Sequence, residues 1–147
     1  MRRVREHLRA GDALLLGADL KKDPAALEAA YDDPLGVTAA FNLNLLARAN
    51  RELGADFDLR AFRHVAAYDE REGRVEMYLE SLRDQMVRVA ALDLELSFRA
   101  GERVHTENSH KYDSAELSEL AARAGFARER TWLDDARRFS SSLLVAV

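Results

Sequence analysis

At 147 residues, with 48% hydrophobic and 33% charged residues and a formal net charge of −4, the chain has the length of one ordinary domain and enough apolar content to build a core without staples. The absence of cysteine excludes a disulfide framework, thiolate metal ligation and a cysteine nucleophile, and makes the cytoplasm the expected compartment. Lysine and arginine are spread along the chain rather than massed, and no apolar run approaches the roughly 20 residues that span a bilayer, so the reading is a soluble, unexported protein with no nucleic-acid or membrane partner.

The opening MRRVREHLRA sets Val4 and Leu8 on one helical face, and Gly11-Asp12 then turns the chain. Residues 13–20, ALLLGADL, form an almost wholly apolar run, the pattern of a strand buried on both faces of a parallel sheet. Asp23-Pro24 provides an N-cap and a proline at the first helical position, opening a helix that runs to Tyr31 and stops in the following DDPLG. Thr38 is the expected cap of a longer helix, with Phe41, Leu45 and Leu46 at helical spacing and Gly54 as its terminator.

Beyond Gly54 the period becomes that of strands. Residues 62–68, 74–81, 86–96 and 103–109 carry alternating or β-favouring residues, with Glu70-Arg71-Glu72-Gly73 as a hairpin connection. In the second of these, Val75, Met77 and Leu79 fall on one face and Glu76, Tyr78 and Glu80 on the other. A last helix is predicted from Asp113 or Ser114 as cap, Glu116 in a capping box, the stripe Leu117, Leu120, Ala121 and Ala124, and Gly125 as stop. Strands over 127–133 and 139–147 close the chain. A buried strand near the start and two at the end, around an antiparallel insertion, predict an α/β sheet interrupted by a smaller α+β module, yet three strands are too few for a doubly wound sheet.

The chemistry-bearing residues gather in HTENSHKY, residues 105–112. Alternation on a strand would project Glu107 and Ser109 together, with His105 on their face and Asn108 on the other. A carboxylate beside a hydroxyl can serve the two nitrogens of an imidazole-like ring, although an exposed edge strand with a blunting charge is the plainer reading of the spacing. His105 and His110 face opposite ways with no third ligand nearby, so no metal site is expected. Met77 reads as core filler and Tyr31 as an aromatic at a helix end unless a ligand uses them. The seven glycines stand too far apart to cradle a nucleotide.

Taken together, GDALLLGADLKKDPAALEAAYDDPLGVTAAFNLNLLARANRELGADFDL, AFRHVAAYDEREGRVEMYLES and VHTENSHKY resemble the histidine-specific, S-adenosylmethionine-dependent methyltransferases that trimethylate the α-amino group of L-histidine in ergothioneine biosynthesis. The resemblance is collinear over nearly the whole chain, is most specific in the segments around AYDD, GVTAAFN and TENS, and covers only the C-terminal portion of that family. It implies the C-terminal part of a class I, Rossmann-like methyltransferase sheet in residues 1–21 and 111–147, with a substrate-recognition module in residues 22–110 inserted between its fifth and sixth strands. It also implies that Glu107 and Ser109 hold the substrate imidazole, that Met77 lines the ring pocket and that Tyr31 bonds the substrate carboxylate. S-adenosylmethionine is the cofactor expected of the complete family protein, and its binding loop is absent from this sequence. Two functions follow: the substrate-binding part of a histidine Nα-methyltransferase, completed by a missing N-terminal half or by self-association, or a non-catalytic module that binds an amino acid or a protein.

Overall fold

The structure, a computed structural model, describes residues 1–147. It is α/β with antiparallel sheets and divides into two compact units, residues 1–22 with 110–147, and residues 23–109.

The first unit opens with α1, Arg2–Arg5, far shorter than the helix its N-terminal pattern suggests. Four residues cannot sustain a helix alone, and after them the chain continues in turns while Met1 and Leu8 dock on a neighbouring core. The strands are β1 (Ala13–Asp19), β7 (Phe126–Leu133) and β8 (Phe139–Ala146), in the order β1-β8-β7. The central strand is β8, antiparallel to both neighbours through Leu14↔Leu144 and Phe126↔Ala146 pairs, so β1 and β7 run the same way. This corrects the parallel, doubly buried reading of ALLLGADL. Its partner is antiparallel and its burial alternates, with Leu15 64% exposed and Ala18 7%.

One face of this sheet is covered by α4, Ser114–Arg123, whose capping box forms as expected: the Asp113 carboxylate accepts from Ala115 and Glu116 N–H, and Glu116 accepts from Asp113 N–H. Leu117 and Ala121 are the buried positions of α4, and Ala121 joins Ala124, Phe126, Leu144 and Ala146 in a core that also holds Leu14 and Leu16. At the end of β1, the Lys111 side chain, 1% exposed, reaches Asp19 at 3.1 Å. Burial opposes ionisation of Asp19, but hydrogen bonds from Lys22 and Lys111 outweigh it and hold the carboxyl below its ordinary range.

The second unit contains α2 (Pro24–Tyr31), α3 (Val37–Leu53), β2 (Phe62–Asp69), β3 (Arg74–Ser81), β4 (Gln85–Val89), β5 (Leu94–Phe98) and, except for its last residue, β6 (Arg103–His110). The cap of α3 is not Thr38. The helix starts one residue earlier, and the Asp33 carboxylate reaches forward to accept from Val37 and Thr38 N–H at 3.0 and 2.8 Å. Nor does the stripe Phe41, Leu45, Leu46 form the buried face. Phe41 and Leu45 are exposed, and α3 turns inward Asn42, Leu43, Leu46 and Asn50. Burial of the asparagines is tolerated because each is paired: Asn50 bonds both N–H and C=O of Phe57, and Asn42 is 2% exposed with two partners described below.

β2 and β3 form the expected hairpin, in register from Phe62↔Ser81 to Asp69↔Arg74, with the Asp69 carboxylate accepting from Arg71 and Glu72 N–H in the turn. Along β3 the predicted alternation holds as far as Leu79, with Val75, Met77 and Leu79 buried, and then ends, since Glu80 and Ser81 are buried as well. The single strand expected over 86–96 is instead the β4–β5 hairpin. Residues 90–92 make a 3-10 turn, and Asp93 at φ 48° reverses the chain in the left-handed region that aspartate tolerates. Phe57, Phe62 and Phe98 meet edge-on or tilted at 5.4 to 6.2 Å over Leu79 and Val87, forming the unit's core.

Candidate functional site

The final residue of α2 is Tyr31, where Asp32 leaves helical geometry before Asp33-Pro34. Leu27, 1% exposed, anchors the middle of this helix. From its end the Tyr31 hydroxyl reaches Ser109 Oγ on β6 at 2.6 Å, joining residues 78 apart in sequence. These two of the four candidate residues are in direct contact.

The other two stand differently. Met77 is 3% exposed, paired with Ala66 of β2, and its carbonyl accepts from Thr106 Oγ1 at 2.9 Å, so it belongs to the buried face of β3. Glu107 is exposed on β6 while Ser109 is half-buried. Strict alternation fails in this stretch. The half-buried positions are Thr106 and Ser109, three residues apart, and His105 Nε2 lies 2.8 Å from Asn108 Oδ1, a contact that residues on opposite faces would not make. His105 and Asn108 therefore do not divide between the faces as the spacing predicts.

Beside this segment the outward face of β3 is ionic. Glu80 is held by Arg103 at 2.7 Å and by Arg63 at 2.5 Å, which, in that order, keep its carboxyl below the ordinary range against the opposing effect of burial. Glu76 accepts from the Tyr78 hydroxyl and from Arg74; the first bond, then the second, lowers the Glu76 pKa, and its bond to Glu76 raises that of Tyr78. The Tyr78 ring meets the His105 ring edge-on at 5.3 Å. These pairs stiffen the strands around residues 105–109.

Two further residues, which the spacing did not mark as functional, reach the site from behind. His64 Nε2 lies 2.7 Å from the Tyr31 carbonyl, and His64 Nδ1 lies 2.9 Å from Asn42 Nδ2. The available signals were an asparagine inside an apolar helix, in GVTAAFN, and a histidine in the β2 run; neither identifies its partner.

A separate cavity of about 340 Å³ lies within the first unit, lined by Leu20, Tyr112, Leu117, Arg128, Leu133 and Arg137 among others, and includes none of the four candidates. Neither Gly17 nor Gly36 belongs to a nucleotide cradle. Gly17 lies mid-strand beneath the Phe139 ring, which a Cβ would approach to 2.9 Å, and Gly36, the one glycine capping a helix start, follows a helix rather than a strand. These two glycines therefore do not fit the glycine-rich turn of an S-adenosylmethionine site.

Over residues 1–146 the sequence matches the family described as histidine-specific, SAM-dependent methyltransferases. The chain belongs to this family. Within it, the chain is 53% identical over 138 residues to a histidine N-alpha-methyltransferase of Mycolicibacterium smegmatis, covering 94% of this chain and 43% of that protein. It is 32% identical over 124 residues to ergothioneine biosynthesis protein 1 of Neurospora crassa, covering 82% of this chain and 14% of that protein. It is also 29% identical over 134 residues to an L-tryptophan methyltransferase of Psilocybe serbica, covering 88% of this chain and 36% of that protein. The chain spans less than half the length of these curated relatives. No helix is long and apolar enough to cross a membrane.

Proposed function

We propose that this chain is the substrate-reading part of an enzyme that methylates the α-amino group of L-histidine with S-adenosylmethionine, the reaction type of ergothioneine biosynthesis. The observation that carries the reading is the 2.6 Å contact between Tyr31 and Ser109, which brings a reader of the substrate carboxylate and a reader of its ring within one hydrogen bond of each other. The strand order β1-β8-β7, with the last strand antiparallel between two that run alike, supports taking them as the fifth, seventh and sixth strands of a class I sheet. On that plan residues 22–110 are the inserted substrate-recognition module.

In this reading Glu107 accepts from one imidazole N–H, Ser109 engages the other ring nitrogen, Tyr31 donates to the carboxylate, and Met77 backs the ring. S-adenosylmethionine would supply an electrophilic methyl group, and no residue of this chain is assigned to holding it. The work of this chain is positioning, which holds the neutral amine in line for transfer. A ligand lacking the ring N–H forfeits that bond, a loss of about 1–3 kcal/mol that favours histidine.

The test is calorimetric titration of the 147-residue chain with L-histidine and L-tryptophan. Saturable binding of histidine, weakened about tenfold or more by Glu107→Ala, is expected. Equal affinity of parent and variant rejects the role of Glu107, and preference for tryptophan rejects the substrate. A second reading, a non-catalytic amino-acid or protein-binding module, is favoured by the lack of a glycine cradle. Titration with S-adenosylhomocysteine bears on the cofactor instead: saturable binding makes the chain an enzyme in its own right, and no binding leaves it at most the substrate reader.

A further inference from the structure

The pair behind Tyr31 has a direction that its atoms fix. Asn42 Nδ2 lies 3.1 Å from the Tyr78 carbonyl and 2.9 Å from His64 Nδ1. A carbonyl only accepts, so the amide must present its NH₂ to Tyr78; the flipped amide would set oxygen against oxygen. The second hydrogen of that NH₂ then goes to His64 Nδ1, which accepts. The proton of the neutral ring is therefore on Nε2, and it is donated to the Tyr31 carbonyl at 2.7 Å. Both donors of Asn42 and both nitrogens of His64 are used.

The acceptor at the end of this chain is a helix-terminal carbonyl, one of the groups a helix leaves unpaired. Leu27 holds α2 in place by packing, but packing leaves the last turn free to fray. A bond from β2 to the Tyr31 carbonyl fixes that turn, and the same residue's hydroxyl is the one aimed at Ser109. Asn42, 2% exposed on α3, ties the assembly to β3 through Tyr78, so three elements converge on the orientation of one phenol.

We infer that Asn42 and His64 are positioning residues that hold Tyr31 in the orientation that reads the substrate carboxylate, a role that rests on the function proposed above. The device itself can be tested without substrate. In ¹⁵N NMR spectra of the chain, His64 should show the Nε2–H tautomer; the Nδ1–H tautomer would overturn the inference. The Tyr31–Ser109 contact, followed by nuclear Overhauser effects from the Tyr31 ring, should be lost in His64→Phe and retained in His64→Gln, whose side-chain NH₂ reaches the place of Nε2. Retention in the phenylalanine variant also overturns it.

With L-histidine, His64→Phe should weaken binding about tenfold, His64→Gln should stay within about threefold, and His64→Phe should cost nothing further in a Tyr31→Phe background. Additive losses would mean that His64 acts on stability rather than through Tyr31. If the parent chain binds no histidine, the functional reading fails, and the spectra still decide whether the device exists.

Discussion

Asp33 lies outside α3, yet its two carboxylate oxygens satisfy two N–H groups of the first turn. The bonds from Thr38 and then Val37 stabilise the ionised form and lower its pKa to about 2. Because the folded value lies below the unfolded one of about 3.9, the stabilisation is complete above about pH 4 and is lost as pH falls toward 2. Asp33→Ala should lower the thermal midpoint near neutral pH, and the gap between variant and parent should close as the solution is acidified through that window. A gap that stays constant would show that the carboxylate is not the cap. The sequence pointed to Thr38 because a cap is normally the residue next to the helix; a left-handed Gly36 let a more distant side chain take the role.

Among the elements, α3 shows what periodicity leaves open. Apolar residues occur on more than one side of it, so spacing admits more than one inward face, and the face chosen is the one where Asn42 and Asn50 find partners. Two truncations measure this: Leu79→Ala, beneath α3 in the core, should destabilise by about 2–5 kcal/mol, and Leu45→Ala by no more than about 0.5, read from chemical denaturation. Comparable losses at both sites would place Leu45 in the core. The end of β1 offers a second test. Asp19→Ala removes the carboxylate facing the buried Lys111 ammonium and should cost about 1–3 kcal/mol, whereas Lys22→Ala, at the more exposed partner, should cost less. The reverse order would move the weight of the cluster to its surface.

For the whole molecule, β1 pairs with β8 on one side only and carries Leu15 at 64% exposure, which is the kind of edge that recruits another strand. The isolated chain is expected to self-associate. Sedimentation velocity should show a concentration-dependent shift, and Leu15→Lys should move the population toward monomer; a monomer at every concentration would refute this. All four candidate residues lie in the unit of residues 23–109, while the unit of residues 1–22 and 110–147 contains a sheet with an open edge.

Sequence alone determined the elements whose causes are local. The capping box of Asp113 and Glu116, the β2–β3 hairpin and the alternation of β3 each depend on residues within a turn or on a two-residue period, so they are readable in place. Tertiary structure decided the rest. It set β8 between β1 and β7, turned the asparagine face of α3 inward, folded residues 85–98 into a hairpin and brought Tyr31 to Ser109. The resemblance named all four candidates, but no local pattern pairs residues 78 apart. Such a contact depends on which groups can satisfy one another once the chain has closed, and periodicity along a strand or helix carries no record of the partner.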